Sequence, residues 1–199
     1  HMDIAGPLVK SHIHGFSYIL VLVDDHSRFK SVFFLKHKSD AITKFKEYVT
    51  ALRSNVSTRA GKPSFVVSHL HCVNAAEFVS TEFKDYLASE GIHQTTCPPH
   101  VHQLNGVAER AVGTIISVVR TALGSSKAPP SFWAYAALHA CDVLNRTTGP
   151  PHTDMTSHQA LTGSEPAVMN ILPFGCRAYT SCSLASLQAT QRPWTRPPC

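Results

Sequence analysis

The sequence predicts an α/β protein in which a mixed sheet is flanked by helices. Residues 16–24 and 29–35 are short apolar runs rich in β-branched and aromatic side chains, which is typical of strands. The polar turn at residues 24–28 joins these two strands. Further along the chain, short apolar runs alternate with stretches whose apolar residues recur at helical spacing. That alternation is the pattern of an α/β layer structure with a mixed sheet.

The first helix is expected over residues 40–53, with Ser39 as its cap. Its apolar side chains recur at helical spacing: Ile42, Phe45, Val49 and Leu52. A short buried strand is expected at residues 65–67. Ser80 then caps a second helix, which carries Phe83, Tyr86 and Leu87 and stops before Gly91.

A strand at residues 92–96 leads into a loop at 97–104, which delivers the chain to a helix over 106–123. The apolar side chains of that helix lie mostly on one face: Val107, Val112, Ile115, Ile116 and Val119. Two prolines precede another helix, over 131–145, with a large apolar surface. It comprises Phe132, Trp133, Ala136, Ala137, Leu138 and Val143. The two helices are expected to pack as a hairpin.

One domain is expected from 199 residues of which 43% are apolar. The expected division is a tag remnant at 1–2, the main domain at 3–150, an extension at 151–180 with a short helix at 157–161, and a disordered tail at 181–199. No run approaches 18 apolar residues, so no membrane span is expected.

The charge and cysteine content narrow the range of partners and compartments only weakly. The net charge is +5, with 13 further histidines, which is compatible with a polyanionic partner without establishing one. The six cysteines show no CxxC spacing, which favours reduced thiols in an intracellular protein. Their even number leaves secretion open.

Nine short stretches carry a resemblance to a known family. They are 3–7 (DIAGP), 23–28 (VDDHSR), 35–39 (LKHKS), 77–78 (EF), 91–92 (GI), 105–110 (NGVAER), 132–133 (FW), 144–146 (LNR) and 174–176 (FGC). Any one of them is weak, but they follow in order over nearly the whole chain. Together they resemble the integrase core of copia-type LTR retrotransposons. The resemblance implies a ribonuclease H-like fold with a five-stranded mixed sheet, in a degenerate or domesticated copy.

The resemblance also implies a catalytic site of three carboxylates, two Asp and one Glu, which hold two Mg²⁺ or Mn²⁺ ions. Asp3 matches the first of these carboxylates and Glu109, at a helix start, matches the last. The second Asp should lie 36 positions before Glu109 (109 − 73 = 36), and Val73 occupies that position.

Valine offers no lone pair to a hard cation, which requires oxygen ligands. Among its neighbours, Asn74 would face the opposite side of an extended segment, and His71 is a poor ligand for Mg²⁺. Ala75 and Ala76 stand where the family has glycines, so the turn after this strand is expected to be reshaped. Mg²⁺ or Mn²⁺ is therefore expected to bind weakly or not at all.

Zinc is an alternative suggested by His69, His71 and Cys72, which lie close together in the sequence. A structural zinc site usually draws a second ligand pair from elsewhere in the chain. No such pair is evident, so zinc is not expected and the histidines are expected at the surface.

Four other residues have simpler structural explanations. Asp24 and Asp25 are adjacent, so they would point to opposite faces of a strand; they are expected to shape the turn, with Arg28 as partner. Glu77 is expected to form a local hydrogen bond or salt bridge. Trp133 is expected to anchor the helical hairpin.

Contact with nucleic acid requires basic side chains near the site, because phosphate contacts supply most of the affinity. Arg110 and Arg120 are the only basic residues on the helix that begins near residue 106, and Gln103 and Asn105 precede it. All four are expected contacts, although Arg110 could instead pair with an acidic side chain. Gly113 weakens the helix interior.

These observations predict an integrase core that lacks strand-transfer activity and persists as a nucleic-acid-binding, protein-interaction or dimerisation module. The enzymatic alternative is residual Mg²⁺- or Mn²⁺-dependent polynucleotidyl transfer or nuclease activity by Asp3 and Glu109. A third alternative is that Val73 was engineered. Homodimers, DNA and a protein partner are all expected candidates for binding, and a nuclear location is favoured.

Overall fold

A computed structural model of the chain describes residues 1–57, 67–97 and 105–177. The strands of this part are β1 Met2–Ala5, β2 Tyr18–Val23, β3 Lys30–Leu35, β4 His69–Val73 and β5 His93–Cys97. The helices are α1 Ala41–Ser57, α2 Thr81–Ser89, α3 Gly106–Ser126, α4 Trp133–Thr147 and α5 Ser157–Thr162. The α/β class and the order of the elements are confirmed.

The strands form one five-stranded mixed sheet in the order β3-β2-β1-β4-β5. β2 is antiparallel to both β1 and β3. β4 is parallel to both β1 and β5. The parallel pairs are connected through helices, as parallel pairing requires a crossover. The expected five-stranded mixed sheet is confirmed.

A separate hydrophobic core packs on each face of the sheet. In β2, Leu20 and Leu22 belong to the core on the α1–α2 side. Ile19, Val21 and Val23 belong to the core on the α3–α4 side. Successive side chains of a strand point to opposite faces, so a strand buried on both sides reads as a continuous apolar run. This explains why β2 is recognisable in the sequence.

The core on the α1–α2 side is built around aromatic rings. Phe45 of α1 meets Phe83 of α2 edge to face, with 5.6 Å between the ring centroids, a favourable aromatic geometry. Helix α2 begins where expected, because the Ser80 hydroxyl accepts a hydrogen bond from the backbone N–H of Phe83 at 3.4 Å.

The hairpin of α3 and α4 covers the other face. Trp133, only 4% exposed, packs in this core and donates its indole N–H to the backbone carbonyl of Val9 at 2.7 Å. Its predicted anchoring role is therefore confirmed. Leu138 was expected in the apolar face of α4, but it is 51% exposed. Ala136, Ala137 and Ala140 are the fully buried residues of that face.

Asn145 fastens α4 to the edge strand β3. Its side-chain oxygen accepts the backbone N–H of Lys30 at 2.8 Å, and its amide donates to the Lys30 carbonyl at 2.8 Å. The residue is 5% exposed. Both backbone groups of one strand residue are thereby satisfied by a single side chain.

The expected capping role of Ser39 is wrong. A 3₁₀ turn over Lys38–Asp40 precedes α1 and contains Ser39 within it. The Asp40 carboxylate instead accepts the backbone N–H groups of Lys36 and His37, at 3.1 and 3.0 Å. A charged acceptor makes the stronger hydrogen bonds with backbone donors, which explains why Asp40 takes this role.

The strand expected at residues 65–67 falls mostly outside the described residues. Residues 65 and 66 lie outside the described residues, and Val67 is not part of a strand. The strand of this region is β4, His69–Val73, in which Leu70 and Cys72 are buried and His69 and His71 lie on the other face. The two histidines interrupt the apolar signal, so a search for an apolar run misses this strand.

Met2 is fully buried at the start of β1, so the folded unit includes it. The assignment of residues 1–2 to a tag and the division at 150 and 180 stay predictions.

Among the described cysteines, Cys72, Cys97, Cys141 and Cys176 are free thiols. Across the described residues, no helix is long and apolar enough to cross a membrane.

Replacing Asn145 with alanine is expected to lower the free energy of unfolding by about 1–3 kcal/mol, because both Lys30 backbone groups lose a partner. Urea unfolding followed by far-ultraviolet circular dichroism measures the change. Asn74→Ala, at an exposed position, is the matched control and should leave stability nearly unchanged. Equal stability of the two variants would contradict the role given to Asn145.

Candidate functional site

The site residues suggested by the sequence meet where β1, β4 and β5 lie side by side. Met2 of β1 pairs with Cys72 of β4, so Asp3 comes beside Val73 one residue further along. Val73 in turn pairs with Cys97 of β5. Positions 3, 73 and 97 therefore form a row across three adjacent strands, which we call the shelf row.

Asp3 lies at one end of the shelf row. It is half-buried, and it pairs with Val21, whose side chain packs under α3 and α4. Paired residues of neighbouring strands point to the same face, so Asp3 faces the side of the sheet that α3 covers. One of its carboxylate oxygens accepts the backbone N–H of Ile4 at 2.8 Å.

Glu109 stands in the first turn of α3 and is half-exposed. A carboxylate is favoured there by the partial positive charge of a helix N-terminus. The two alanines beside it, Ala108 and Ala111, are buried at 0% and 6% exposure and pack this turn into the protein. Glu109 is thus carried on a well-anchored turn with its own side chain left partly accessible.

Asn105 holds the start of α3 against β1. It is fully buried, and its side-chain amide donates to the Met2 carbonyl at 3.3 Å. Its side-chain oxygen has no hydrogen-bond partner within the described structure. Its side chain is enclosed between α3 and β1, and the contact of Asn105 with nucleic acid stays a prediction.

Cys97 occupies the other end of the shelf row and is 4% exposed. Burial raises the pKa of its thiol, and the negative charges of Glu109 and Asp3 raise that pKa further. Both carboxylates therefore lie within electrostatic range of this sulfur. The thiol is the protonated form under ordinary conditions, since each of these effects disfavours a thiolate.

A hydrogen-bonded chain runs from Cys97 across β4 and β5. Cys97 Sγ lies 3.3 Å from His71 Nε2, and His71 Nδ1 lies 2.8 Å from the Thr95 hydroxyl. His69 Nε2 lies 3.0 Å from the same hydroxyl. One proton arrangement satisfies all three contacts: Cys97 donates to His71, His71 Nδ1–H donates to Thr95, and Thr95 donates to His69.

The pairing of His71 with Cys97 is not apparent from the sequence alone. There His71 stands beside Cys72, but Cys72 faces the opposite side of the sheet and accepts a hydrogen bond from Gln94 at 3.4 Å. The partner of His71 lies 26 positions away on β5. Side chains alternate between the two faces of a strand, so the register of β4 and β5 would show that His71 and Cys97 lie on the same face.

The two-ion Mg²⁺ site implied by the resemblance does not fit these residues. Asp3 and Glu109 retain oxygen donors, but the middle of the shelf row is a valine side chain that packs against the edge of the α1–α2 core. The far end is a thiol, a soft ligand that Mg²⁺ does not favour. Within residues 1–57, 67–97 and 105–177, no group of three or more His, Cys, Asp or Glu side chains could hold a metal ion.

The acidic residues outside the site have the structural roles expected of them. Asp24 accepts hydrogen bonds from the backbone N–H and the hydroxyl of Ser27, at 2.7 and 2.6 Å. Asp25 forms an ion pair with Arg28 at 2.9 Å. Glu77 lies 3.9 Å from the ammonium group of Lys38. The turn of β2 and β3 and the local ion pair of Glu77 are thereby confirmed.

Arg110 and Arg120 are both exposed on α3. Neither forms an ion pair with another residue of the described ranges, so the pairing considered for Arg110 is not seen there. Arg120 follows Glu109 by eleven positions (120 − 109 = 11), which is close to three full helical turns, so both lie on the same stripe of α3. Gln103 lies outside the described residues.

A cleft of about 860 Å³ opens beside the other end of β1 and β4, between the turn after β2 and residues 67–71. Its lining includes His71 but not Asp3, Val73, Cys97 or Glu109. The shelf row is therefore a surface distinct from this cleft, and His71 borders both.

Relatives of this chain are Pol polyproteins of retrotransposons. It is 32% identical over 179 residues to the polyprotein from transposon TNT 1-94 of Nicotiana tabacum, covering 90% of this chain and 13% of that protein. It is 29% identical over 185 residues to the polyprotein from transposon RE2 of Arabidopsis thaliana, covering 93% of this chain and 11% of that protein. The chain thus spans about an eighth of the length of these relatives.

Solved structures of retroviral integrases share the fold. A simian T-cell lymphotropic virus intasome, solved with PP2A regulatory subunit B56 gamma, matches with a TM-score of 0.63 and 22% identity over 92% of this chain and 58% of that chain. The HTLV-2 integrase catalytic core in complex with magnesium, in a trimeric form, matches with a TM-score of 0.57 and 24% identity over 80% of this chain and 92% of that chain. The expected ribonuclease H-like fold is confirmed.

The sequence model of the integrase core domain matches residues 1–102. This match covers just over half of the 199 residues and includes β1 to β5. The chain therefore belongs to the integrase core domain family, and the copia-type retrotransposon origin indicated by the sequence agrees with its relatives.

Proposed function

We propose that this chain is an integrase core that no longer performs strand transfer and instead acts as a nucleic-acid-binding and self-associating module, with DNA in the nucleus as its target. The observation that carries the proposal is Val73. It occupies the middle of the shelf row, where the resemblance requires a carboxylate between Asp3 and the strand end of β5.

The chemistry of that position supports the loss of activity. Metal-dependent phosphoryl transfer of this type uses two ions that activate the attacking oxygen and stabilise the leaving oxygen. Removing the donor at position 73 leaves Asp3 and Glu109 as the family's remaining carboxylates. Val73 is also accommodated by packing against the neighbouring core, so the fold does not need a charged group there.

Binding of DNA is supported by the charge on α3. Arg110 and Arg120 are exposed on this helix, and the net charge of the whole chain is +5. On α3 the only acidic side chain is Glu109. Two guanidinium groups on one helix can each neutralise a phosphate, which supplies affinity without sequence preference.

Self-association is supported by apolar side chains exposed on and near α4. Tyr135 and Leu138 lie one helical turn apart and are 37% and 51% exposed. Val9 and Ile13 are also exposed, in the loop that bonds to the start of α4 through Trp133 and Ser131. A dimeric form of the HTLV-2 integrase core has been solved, and that protein shares this fold.

Assays of 3′-processing, strand transfer and nuclease cleavage in Mg²⁺ and in Mn²⁺ are expected to show no activity above background. The background is defined by Glu109→Gln, which removes a carboxylate and leaves the size of the side chain unchanged. Activity that disappears in Glu109→Gln would contradict the proposal and support the alternative, residual polynucleotidyl transfer.

Val73→Asp provides the complementary gain-of-function test. It places a carboxylate between Asp3 and Cys97, so calorimetry is expected to detect binding of Mg²⁺ that the parent chain lacks. Binding of Mg²⁺ with equal affinity by the parent chain would show that position 73 is not the missing ligand.

The double variant Arg110→Gln, Arg120→Gln is expected to weaken DNA binding and to lower the slope of log affinity against log salt by about 2, close to one for each phosphate that is no longer neutralised. Fluorescence anisotropy with labelled duplex DNA at several salt concentrations measures both. The double variant Lys44→Gln, Lys46→Gln, on α1 at the other face of the sheet, also removes two positive charges and is the charge-matched control. An unchanged slope in the double variant would remove α3 from the DNA-binding surface.

Leu138→Glu is expected to shift the chain from dimer to monomer, because an ionised carboxylate in an apolar interface is strongly unfavourable. Multi-angle light scattering over a range of protein concentrations measures the mass. Met169→Glu, at a 92% exposed position outside α4, is the control and should leave the dimer intact. A parent chain that is monomeric at every concentration would rule out self-association.

A further inference from the structure

The two edges of the sheet differ in how their backbone groups are satisfied. Strands β3 and β5 lie at the ends of the order β3-β2-β1-β4-β5, so each has a neighbouring strand on one side only. At the β3 edge, the side chain of Asn145 bonds to both backbone groups of Lys30, and α4 packs beside the strand. An edge without such cover presents unpaired N–H and C=O groups that can bind another extended chain.

The register of β5 shows which of its backbone groups point outwards. The N–H of His93 donates to the Ser68 carbonyl at 2.9 Å, and His93 pairs with His69 of β4. Bonding to the neighbouring strand alternates along a parallel pair, so residues 93, 95 and 97 turn their backbone groups towards β4. Gln94 and Thr96 therefore turn theirs away from the sheet. Among the described residues, no group forms a hydrogen bond with these outward donors and acceptors.

The side chains of β5 leave this edge open and ordered. Its sequence, HQTTC, contains no proline and no Lys, Arg, Asp or Glu, which are residues that commonly protect an edge from pairing. Thr96 is exposed, and β-branched residues favour the extended conformation. The side-chain amide of Gln94 donates to the Phe78 carbonyl at 2.7 Å, which holds the strand against the protein. The outward backbone groups are thus kept in position for a partner.

We propose that β5 binds an extended, acidic segment of a partner protein, which adds to the sheet as a sixth strand. An extended polypeptide is the ligand whose alternating N–H and C=O groups match those of Gln94 and Thr96. This binding is independent of the proposed function, because the β5 edge carries neither Arg110 nor Arg120 and is separate from the exposed apolar side chains of α4.

The acidic character of the segment follows from Lys84 on α2, the helix that packs on β5. Glu82 forms an ion pair with Lys46 of α1 at 3.0 Å. Glu90 forms another with Arg53 of the same helix. These pairs mark the side of α2 that faces α1. Lys84 follows Glu82 by two positions, about 200° around the helix, so it lies on the opposite side, next to the β5 edge.

A carboxylate on the added strand would give Lys84 a partner of opposite charge. Lys84 is exposed, and it forms no ion pair with another of the described residues. A second copy of this chain fits the edge less well. Two β5 strands paired around a two-fold axis would place the two α2 helices side by side, with the Lys84 ammonium groups turned towards each other. Like charges repel there, whereas an acidic segment is attracted.

Fluorescence anisotropy with a labelled nine-residue peptide, in which glutamate alternates with threonine, tests the proposal. The full chain is expected to bind this peptide saturably and to bind a version with lysine in place of glutamate more weakly. Two further versions carry N-methyl groups on the odd or on the even residues. One of these sets faces β5, and its loss of N–H donors should weaken binding by about tenfold or more. The other set faces solvent and should have little effect.

Thr96→Pro and Thr96→Val form a matched pair of protein variants. Proline removes the outward N–H of residue 96 and leaves the bonds between β5 and β4, so binding should weaken by about tenfold. Valine keeps that N–H and should bind like the parent chain. Lys84→Gln should weaken binding of the acidic peptide by about threefold, the size of an exposed ion pair.

Three results would overturn the proposal. They are no binding of the acidic peptide by the parent chain, equal weakening by both N-methylated versions, and equal binding by Thr96→Pro and Thr96→Val. Light scattering provides a further check, because a lower mass of Thr96→Pro than of the parent chain would assign the edge to a second copy. Circular dichroism verifies the folding of each variant. The N-methylated peptides decide the question with the parent chain alone if Thr96→Pro does not fold.

Discussion

The parallel register of β1, β4 and β5 is the constraint on which the rest of the molecule depends. Met2 pairs with Cys72, and both are fully buried on the α1–α2 side of the sheet. Because side chains alternate, the next position in each strand must face the other way. One register thus places a core residue and a site residue on both β1 and β4, and a shift by one residue would exchange the two sets. Burial of Met2 and Cys72 therefore fixes where Asp3 stands relative to Val73.

The same register explains why the site could change its chemistry without a change of fold. On the α1–α2 side, β1 and β4 carry the buried Met2, Leu70 and Cys72. On the opposite side, α3 packs mainly against β1 and β2. The valine at position 73 packs against the edge of the α1–α2 core, so the absence of a carboxylate there does not disturb that core. Fold and activity are determined by different faces of the same strands, so retention of the integrase fold does not imply retention of strand transfer.

Elements with a continuous or periodic apolar signal were predictable from the sequence. Strand β2 is buried on both faces and α2 has its serine cap, and both lie within two residues of their expected bounds. Strand β4 was not predictable as an apolar run, because His69 and His71 alternate with its buried residues. At the start of α1, Asp40 and not Ser39 accepts hydrogen bonds from the backbone, and its donors are Lys36 and His37. The capping preferences of single residues do not predict this arrangement, because it depends on the path of the chain before the helix.

The sequence predicted only those site residues that can be recognised one at a time from a motif. The resemblance to the family identified Asp3, Val73 and Glu109 as the three positions of the carboxylate site, since each occupies one motif position. The contact of His71 with Cys97 joins two strands 26 positions apart, so it requires the β4–β5 register, which no local pattern supplies. The enclosure of Asn105 likewise depends on a carbonyl contributed by Met2, more than a hundred residues earlier. That contact ties the first turn of α3 to β1. The contact holds Glu109 near the strands regardless of which side chains those strands carry. The strand residues, and not the helix, therefore determine whether the site can bind a metal ion.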